Sequence, residues 1–202
     1  ITLYCSYVAG ATTDITARAL ATGVEKELGV PVMVENKPGG NSTVCASLLA
    51  TKKPDGYTLA AMSAGVVTNM PLLYKIPYDP FNSFTPILQY SRWIGGVCVL
   101  SESPIKTIDE FIAYAKANPG KLSYGTSASG SSQQLAMEFF KLTAKIDVVQ
   151  VAYKGAPQAP SDLIGGQIPS SVQSAPGVLS AIQGGRVRAL AVTSLTRISQ
   201  LP

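Results

Sequence analysis

The stretch ITLYCSYVAGATTDITARAL, residues 1–20, holds the reading on which the fold turns. Residues 1–7 are rich in types that favour strands, and residues 8–13 form a loop of small side chains. From Asp14 the spacing becomes helical, with Ala17, Leu20, Val24 and Leu28 on one face, until Gly29 ends the run and Pro31 prevents its continuation. Working outward, residues 30–35 read as a second strand, 36–41 as a turn-rich loop, 42–51 as a second helix and 57–63 as a third strand. That βαβαβ succession predicts an α/β fold whose sheet is parallel and wound in the right-handed sense.

A Pro- and aromatic-rich stretch, residues 69–86, interrupts the alternation, and the apolar run 93–100 reads as a strand crossing between two lobes. The pattern restarts at Thr107 and Glu110, spaced as a capping box in which each side chain satisfies a free amide at a helix start. Strands are then expected at 122–125, 147–152, 168–173 and 187–194, with helices after the Gly/Ser loop, around 160–164 and from Ser174, where Pro176 is tolerated in the first turn. The predicted division is a first lobe over 1–99, a second over 100–194, and a segment from 195 to 202 that starts back toward the first.

Composition bounds the function. The 202 residues are 46% hydrophobic and 14% charged, as in a folded globular protein. The net charge of +4 is spread without a basic stripe or arm, which argues against nucleic acid and for mild attraction of small anions. There is no histidine, which removes every Ser-His-Asp and Cys-His nucleophile and every histidine-containing metal site. Cys5, Cys45 and Cys98 are odd in number and lack CxxC spacing, so they read as buried small hydrophobes rather than as a zinc site or a disulfide framework. No apolar run approaches the roughly 20 residues that cross a bilayer, and any secretory signal is expected upstream of residue 1.

Ligands of open parallel sheets bind beyond the carboxyl ends of the strands, which singles out loops 8–13, 63–68, 126–132, 153–157 and 173–177. The first of these runs straight into a helix, leaving backbone N–H groups outward beside the hydroxyls of Thr12 and Thr13. That suits an anion, and it reads equally as a tight strand-to-helix turn with no ligand. In the third, serine hydroxyls and amides suit a carboxylate, with Ser131 and Gln134 spaced as a capping box; a plain linker is the rival. Lys154 points its ammonium either at a site or into solvent. Asp14 sits in a first helical turn and is read as holding the loop, because a second negative charge would repel an anion. No GxSxG, GxGxxG or P-loop follows a strand, and the Ser103/Lys106 spacing is put down to chance because Pro104 and a loop surround it.

Six blocks, read in order, resemble those of the Bug receptors, the extracytoplasmic solute-binding proteins of tripartite tricarboxylate transporters. They are VENKPG (34–39), PDGYTL (54–59), LYKIPYDP (73–80) with FTP (84–86), YKG (153–155), DLIGGQ (162–167) and RALAVTS (188–194), and the resemblance covers essentially the whole chain. It implies a two-lobe periplasmic binding protein of the Venus-flytrap kind, which holds a carboxylated metabolite or amino acid between its lobes through amides, hydroxyls and ordered water. It implies no cofactor, no metal, and membrane transporter subunits as partners. Carried over by position, the contacts would come from Tyr7, Ala9, Gly10, Ala11, Thr12 and Thr13; from Ala64 and Gly65; from Thr126, Ser127, Ser129 and Ser131; from Lys154 and Gly155; and from Gln173 at a strand end.

The chain departs from the family pattern at Cys5-Ser6, where an apolar residue and Pro are common, at Gln134, where His is frequent, and at Ala11, which replaces the second residue of a Gly-Gly pair. Ala11 should narrow the loop's backbone freedom, since glycine alone reaches positive φ without strain. The chain also stops at Leu201-Pro202 inside what resembles a longer motif. The first lobe is therefore expected to lack its C-terminal segment, exposing an edge and an apolar face that oligomerisation or swapping would cover. The expectation is a non-catalytic periplasmic receptor for a small carboxylate, such as a di- or tricarboxylate, an aromatic acid or an acidic amino acid. Its rivals are an enzyme acting on a carboxylated substrate through Ser or Lys, and a binding-incompetent module that oligomerises.

Overall fold

A computed structural model describes residues 1–153 and 158–198. The chain forms two compact units, one spanning Ile1–Arg92 and one beginning at Trp93.

In the first unit β1 (Thr2–Cys5) lies between β2 (Met33–Asn36) and β3 (Thr58–Ala61), parallel to both. The register is level, with Cys5 paired to Asn36 on one side and Ala61 on the other. All three strands therefore end at one edge. Strand order reverses direction after β2, so right-handed crossovers put α1 (Thr12–Leu28) and α2 (Thr43–Ala50) on opposite faces. The buried stripe of α1 keeps Ala17 and Val24 of the expected face and takes Ala21 in place of Leu20: Asp14, Ala17 and Ala21 are buried, Val24 packs beside them, and Leu28 is 58% exposed. Ala17 and Ala21 let the helix approach Leu3, Cys5, Val32 and Ala61 more closely than leucines in the seam would allow. A second core joins Ala46 of α2 to Val66 and Tyr78, whose hydroxyl donates to the Val66 carbonyl at 2.9 Å. The short α3 (Met70–Leu73) contributes the fully buried Met70.

The second unit is a five-stranded mixed sheet. Its strands are β4 (Gly95–Leu100), β5 (Ser123–Thr126), β6 (Val149–Ala152), β7 (Ser170–Ser174) and β8 (Val187–Val192), in the order β6-β5-β7-β4-β8. β6, β5 and β7 run parallel, while β4 is antiparallel to both β7 and β8. The run expected to cross between lobes is thus an interior strand, hydrogen-bonded on both sides, with Gly95, Gly96, Cys98 and Val99 buried. A cut after residue 99 would split it, and the division falls after Arg92 instead. One face of the sheet is covered by α4 (Ile108–Ala117) and α5 (Ser132–Ala144) through Phe111, Ala115 and Met137. The other is covered by α6 (Gln158–Ile164) and α7 (Ala175–Gln183) through Leu163, Val178 and Ala181.

The capping box forms as predicted, with Thr107 Oγ1 accepting from the Glu110 N–H at 3.1 Å and Glu110 Oε2 accepting from the Thr107 N–H at 3.2 Å. The Ser103/Lys106 pair has an ordinary structural explanation. Ser103 Oγ accepts from the Ile105 N–H at 3.2 Å, and Lys106 Nζ donates to the Ser101 carbonyl at 2.9 Å. The three cysteines are buried free thiols, and burial pushes Cys45 and Cys98 up to about 12, far from thiolate chemistry.

Candidate functional site

Three loops leave the carboxyl edge of the first unit's sheet. In the first, Gly10 takes φ +80°, while Ala11 sits at φ −70° and ψ 158° as the N-cap of α1. The glycine requirement falls on Gly10, so alanine at position 11 costs the backbone nothing. This corrects the expectation that Ala11 constrains the loop. The loop is fixed by Asp14, whose buried carboxylate accepts from the Gly10 N–H at 2.9 Å and Asn36 Nδ2 at 2.8 Å and pairs with Arg18 Nε at 3.1 Å. Asn36 Nδ2 also donates to the Tyr7 carbonyl at 2.9 Å, and Arg18 Nη2 donates to Asn36 Oδ1 at 3.0 Å. The bonds to Arg18 hold the Asp14 carboxyl down at about 2, the Gly10 and Asn36 donors assisting against desolvation.

Asp14 therefore acts as read from the sequence, as the tie of the loop, and its charge is matched by Arg18. Its partners were not foreseen. Arg18 could have been found four residues on from Asp14 on the helix, whereas Asn36 reaches the loop only through the β1–β2 register. Ala11 offers no side-chain cap, and the first-turn amides of Thr12 and Thr13 have no acceptor among the described residues. Ala9, Gly10 and Thr12 are exposed, with Tyr7, Ala11 and Thr13 half-buried beside them.

The second loop, read from the sequence only as a turn, holds φ values of 125°, 53°, 50° and 78° at Gly39, Gly40, Asn41 and Ser42. Ser42 Oγ donates to Ser6 Oγ at 3.0 Å in a buried pair, which gives Ser6, one of the departures from the family pattern, a structural partner. In the third loop Ser63 Oγ accepts from the Gly65 N–H at 3.1 Å at the start of a single 3-10 turn, with Ala64 exposed. A Cβ on Gly65 would lie 2.7 Å from Asn69 Oδ1, so a side chain there would push the Asn69 carboxamide aside.

In the second unit β5, β6 and β7 end at one edge. Thr126 is fully buried and its Oγ1 accepts from Gln150 Nε2 at 2.7 Å; Gln150 Oε1 in turn accepts from Gln134 Nε2 at 2.8 Å. Ser131 caps α5, accepting from the Gln134 N–H at 3.3 Å and donating to the Ala128 carbonyl at 2.7 Å. The expected reciprocal arm is displaced by one residue, because the Gln134 side chain accepts from the Gly130 N–H rather than from Ser131. Thr126 and Ser131 thus spend their hydroxyls inside the protein, while Ser127 is half-buried with its N–H given to Gln133 Oε1 at 2.6 Å, and Ser129 is exposed. Position 134, where the family often has His, is filled by a side chain that joins the loop at Gly130 to the strand at Gln150.

Lys154 and Gly155 lie outside the described residues. Just before them, Tyr153 donates its N–H to the Thr126 carbonyl at 2.9 Å and its hydroxyl to Asp162 Oδ2 at 2.6 Å. That hydrogen bond, with Asp162's charge, raises Tyr153 to about 12 and joins two of the blocks read from the sequence. Gln173 is 3% exposed, and neither its Nε2 nor Ser171 Oγ on the same strand has a hydrogen-bond partner among the described residues. No cluster of three or more His, Cys, Asp or Glu converges among the described residues, and no described helix is long and apolar enough to cross a membrane.

Residues 16–202 match the family described as tripartite tricarboxylate transporter family receptor. Among curated relatives, the UPF0065 protein in the gbd 5' region of Cupriavidus necator is 38% identical over 202 residues, all of this chain and 61% of that protein. Protein BugT of Bordetella pertussis is 33% identical over 199 residues, 96% of this chain and 60% of its own. The chain thus spans about three fifths of the length of the curated relatives it matches. Of solved structures, R. palustris Rpa4515 with adipate superposes with a TM-score of 0.90 at 31% identity, over 100% of this chain and 69% of that one. MatC from Rhodopseudomonas palustris with bound malate gives 0.81 at 25% identity, over 98% and 67%. Other solved structures with the mixed α/β architecture described above are the periplasmic binding protein BugD, with a TM-score of 0.79 at 32% identity over 98% of this chain and 66% of that one, and a TctC solute binding protein from Polaromonas, with 0.77 at 28% over 100% and 68%. By the extent of the family match and the identity to its Bug relatives, this chain belongs to the tripartite tricarboxylate transporter receptor family.

Proposed function

We propose that this chain is the ligand-binding part of a periplasmic receptor that captures a small carboxylate and delivers it to the membrane subunits of a tripartite tricarboxylate-type transporter. The observation that carries the reading is the start of α1, where the amides of Thr12 and Thr13 have no acceptor among the described residues and the nearby Asp14 charge is already matched by Arg18. A helix start with free amides favours an anion, and neutralising Asp14 removes the repulsion that would otherwise oppose one. In this reading Tyr7, Ala9, Gly10 and Ala11 shape the cradle. Ala64, Gly65, Ser127, Ser129, Lys154, Gly155 and Gln173 add amides, hydroxyls and charge, while Thr126 and Ser131 hold their loop in place. Relatives named for adipate and malate support a dicarboxylate as the ligand class. Calorimetric titration with adipate, malate and their uncharged diamides tests it: carboxylates are expected to bind and diamides not, and equal heats from both would overturn the reading.

A further inference from the structure

We infer that Asn36 is a positioning residue that holds Asp14 away from the start of its own helix and so leaves the amides of Thr12 and Thr13 to the ligand; this rests on the receptor reading above. Asp14 is the third residue of α1, after Ala11 at the N-cap and Thr12 and Thr13 in the first turn. A carboxylate at that place has the helix's own free amides within reach, and Asp side chains readily bond such neighbouring N–H groups. Asp14 is therefore a built-in competitor for any anion bound at the same amides. It does not take them: among the described residues neither amide has an acceptor. The Asp14 oxygens go instead to the Gly10 N–H at 2.9 Å, Asn36 Nδ2 at 2.8 Å and Arg18 Nε at 3.1 Å.

Asn36 has the geometry to enforce this. It is the last residue of β2, level with Cys5 of β1, so strand pairing and not α1 sets its position. One end of its carboxamide donates to Asp14 Oδ1 and to the Tyr7 carbonyl at 2.9 Å, and the other accepts from Arg18 Nη2 at 3.0 Å. The donor end thus meets the carboxylate and the acceptor end meets the guanidinium. Aspartate here would set a second negative charge against Asp14, and an aliphatic side chain would offer neither bond. Arg18 alone is a weaker restraint, because its side chain is half exposed and stands on the same helix as Asp14. Without Asn36, rotation of the Asp14 side chain brings its carboxylate onto the Thr12 and Thr13 amides, where the dipole of α1 favours it.

Two measurements test this on wild type, Asn36→Ala, the bulkier Asn36→Leu, Asp14→Asn, and each Asn36 variant combined with Asp14→Asn. The first is amide hydrogen exchange at Thr12 and Thr13 without ligand. Exchange should be fast in the wild type, slower in either Asn36 variant as Asp14 takes the amides, and fast again in the double variants. The second is adipate and malate affinity by calorimetric titration. Affinity should fall about tenfold in the Asn36 variants, the worth of a hydrogen bond to a charged group. In the double variants it should return to the value of Asp14→Asn alone, while the unliganded Tm does not recover. A loop merely damaged by loss of Asn36 would not regain affinity when a second tie is removed. Exchange that does not slow in either Asn36 variant overturns the assignment, as does affinity that stays at the wild-type value or a loss that Asp14→Asn does not relieve. A wild type that binds no carboxylate overturns the receptor reading instead, and the exchange measurement, which needs no ligand, still decides whether Asn36 holds Asp14 off the helix start.

Discussion

Asp14 links stability to the first loop, because one buried carboxylate holds Gly10, Arg18 and Asn36 together. Its folded pKa of about 2 lies below the ordinary 3.8. The stability it confers is therefore fully present above pH 3.8 and is lost as pH falls through about 2. Acid titration of wild type against Asp14→Asn should show the two stability curves converging over that window, and parallel curves would refute the coupling. Asp14→Ala should cost about 1–3 kcal/mol in denaturant unfolding, because the Gly10 N–H and Asn36 amide lose their acceptor. The neighbouring positions give opposite glycine tests. Gly10→Ala puts a Cβ at φ +80° in open space, so its cost is conformational, roughly 1–2 kcal/mol. Ala11→Gly at φ −70° should cost about 0.4–1 kcal/mol through the unfolded chain. At this scale the sequence was legible where side-chain chemistry is local. Asp14 was read correctly because charge repulsion and a first-turn position suffice, while Asn36 was missed because it is remote in sequence and only strand register brings it to Tyr7.

Between elements, tight packing decides how the loops are held. A Cβ on Gly125 would lie 2.5 Å from Ile168 Cδ1 and 3.1 Å from Ala159 Cβ, so β5 and α6 approach through that glycine. Gly125→Ala should destabilise by about 1–3 kcal/mol, as overpacking of a filled core does, measured by the midpoint of urea unfolding at unchanged m. Thr107→Ala should cost about 1 kcal/mol through loss of a helix cap. The Thr107/Glu110 box was legible because a cap is a local contract between residues three apart. The Ser131/Gln134 spacing looked the same and folded differently, since Gln134 also reaches Gln150 on a neighbouring strand and accepts from Gly130. The burial stripe of α1 kept Ala17 and Val24 but took Ala21 in place of Leu20, because periodicity ranks residues by hydrophobicity, whereas contact with a close sheet favours small ones. β4 was legible as a strand but its place in the sheet was not, because an apolar run records burial but not which partners hydrogen-bond to it.

For the whole molecule, the family blocks recur along both units and some meet in space, as Tyr153 and Asp162 do through one hydrogen bond, which is why an ordered set of short motifs carried the fold. The ligand was not legible in the same way, because the donors proposed for it are largely backbone amides, which residues of any type present. The central claim, that the free amides at the start of α1 hold a carboxylate, is tested most directly by Thr12→Pro. Thr12 is the first residue of the helix, where proline is tolerated, and Ala11 at φ −70° and ψ 158° already has the extended conformation that a residue before proline requires. The substitution deletes one amide donor and leaves the helix in place. Thermal unfolding with and without a saturating dicarboxylate should show an unliganded Tm close to wild type and a ligand-induced stabilisation smaller by about 1.5–3 kcal/mol, the worth of a hydrogen bond to a charged group. Undiminished stabilisation of Thr12→Pro by the same ligand would contradict the account.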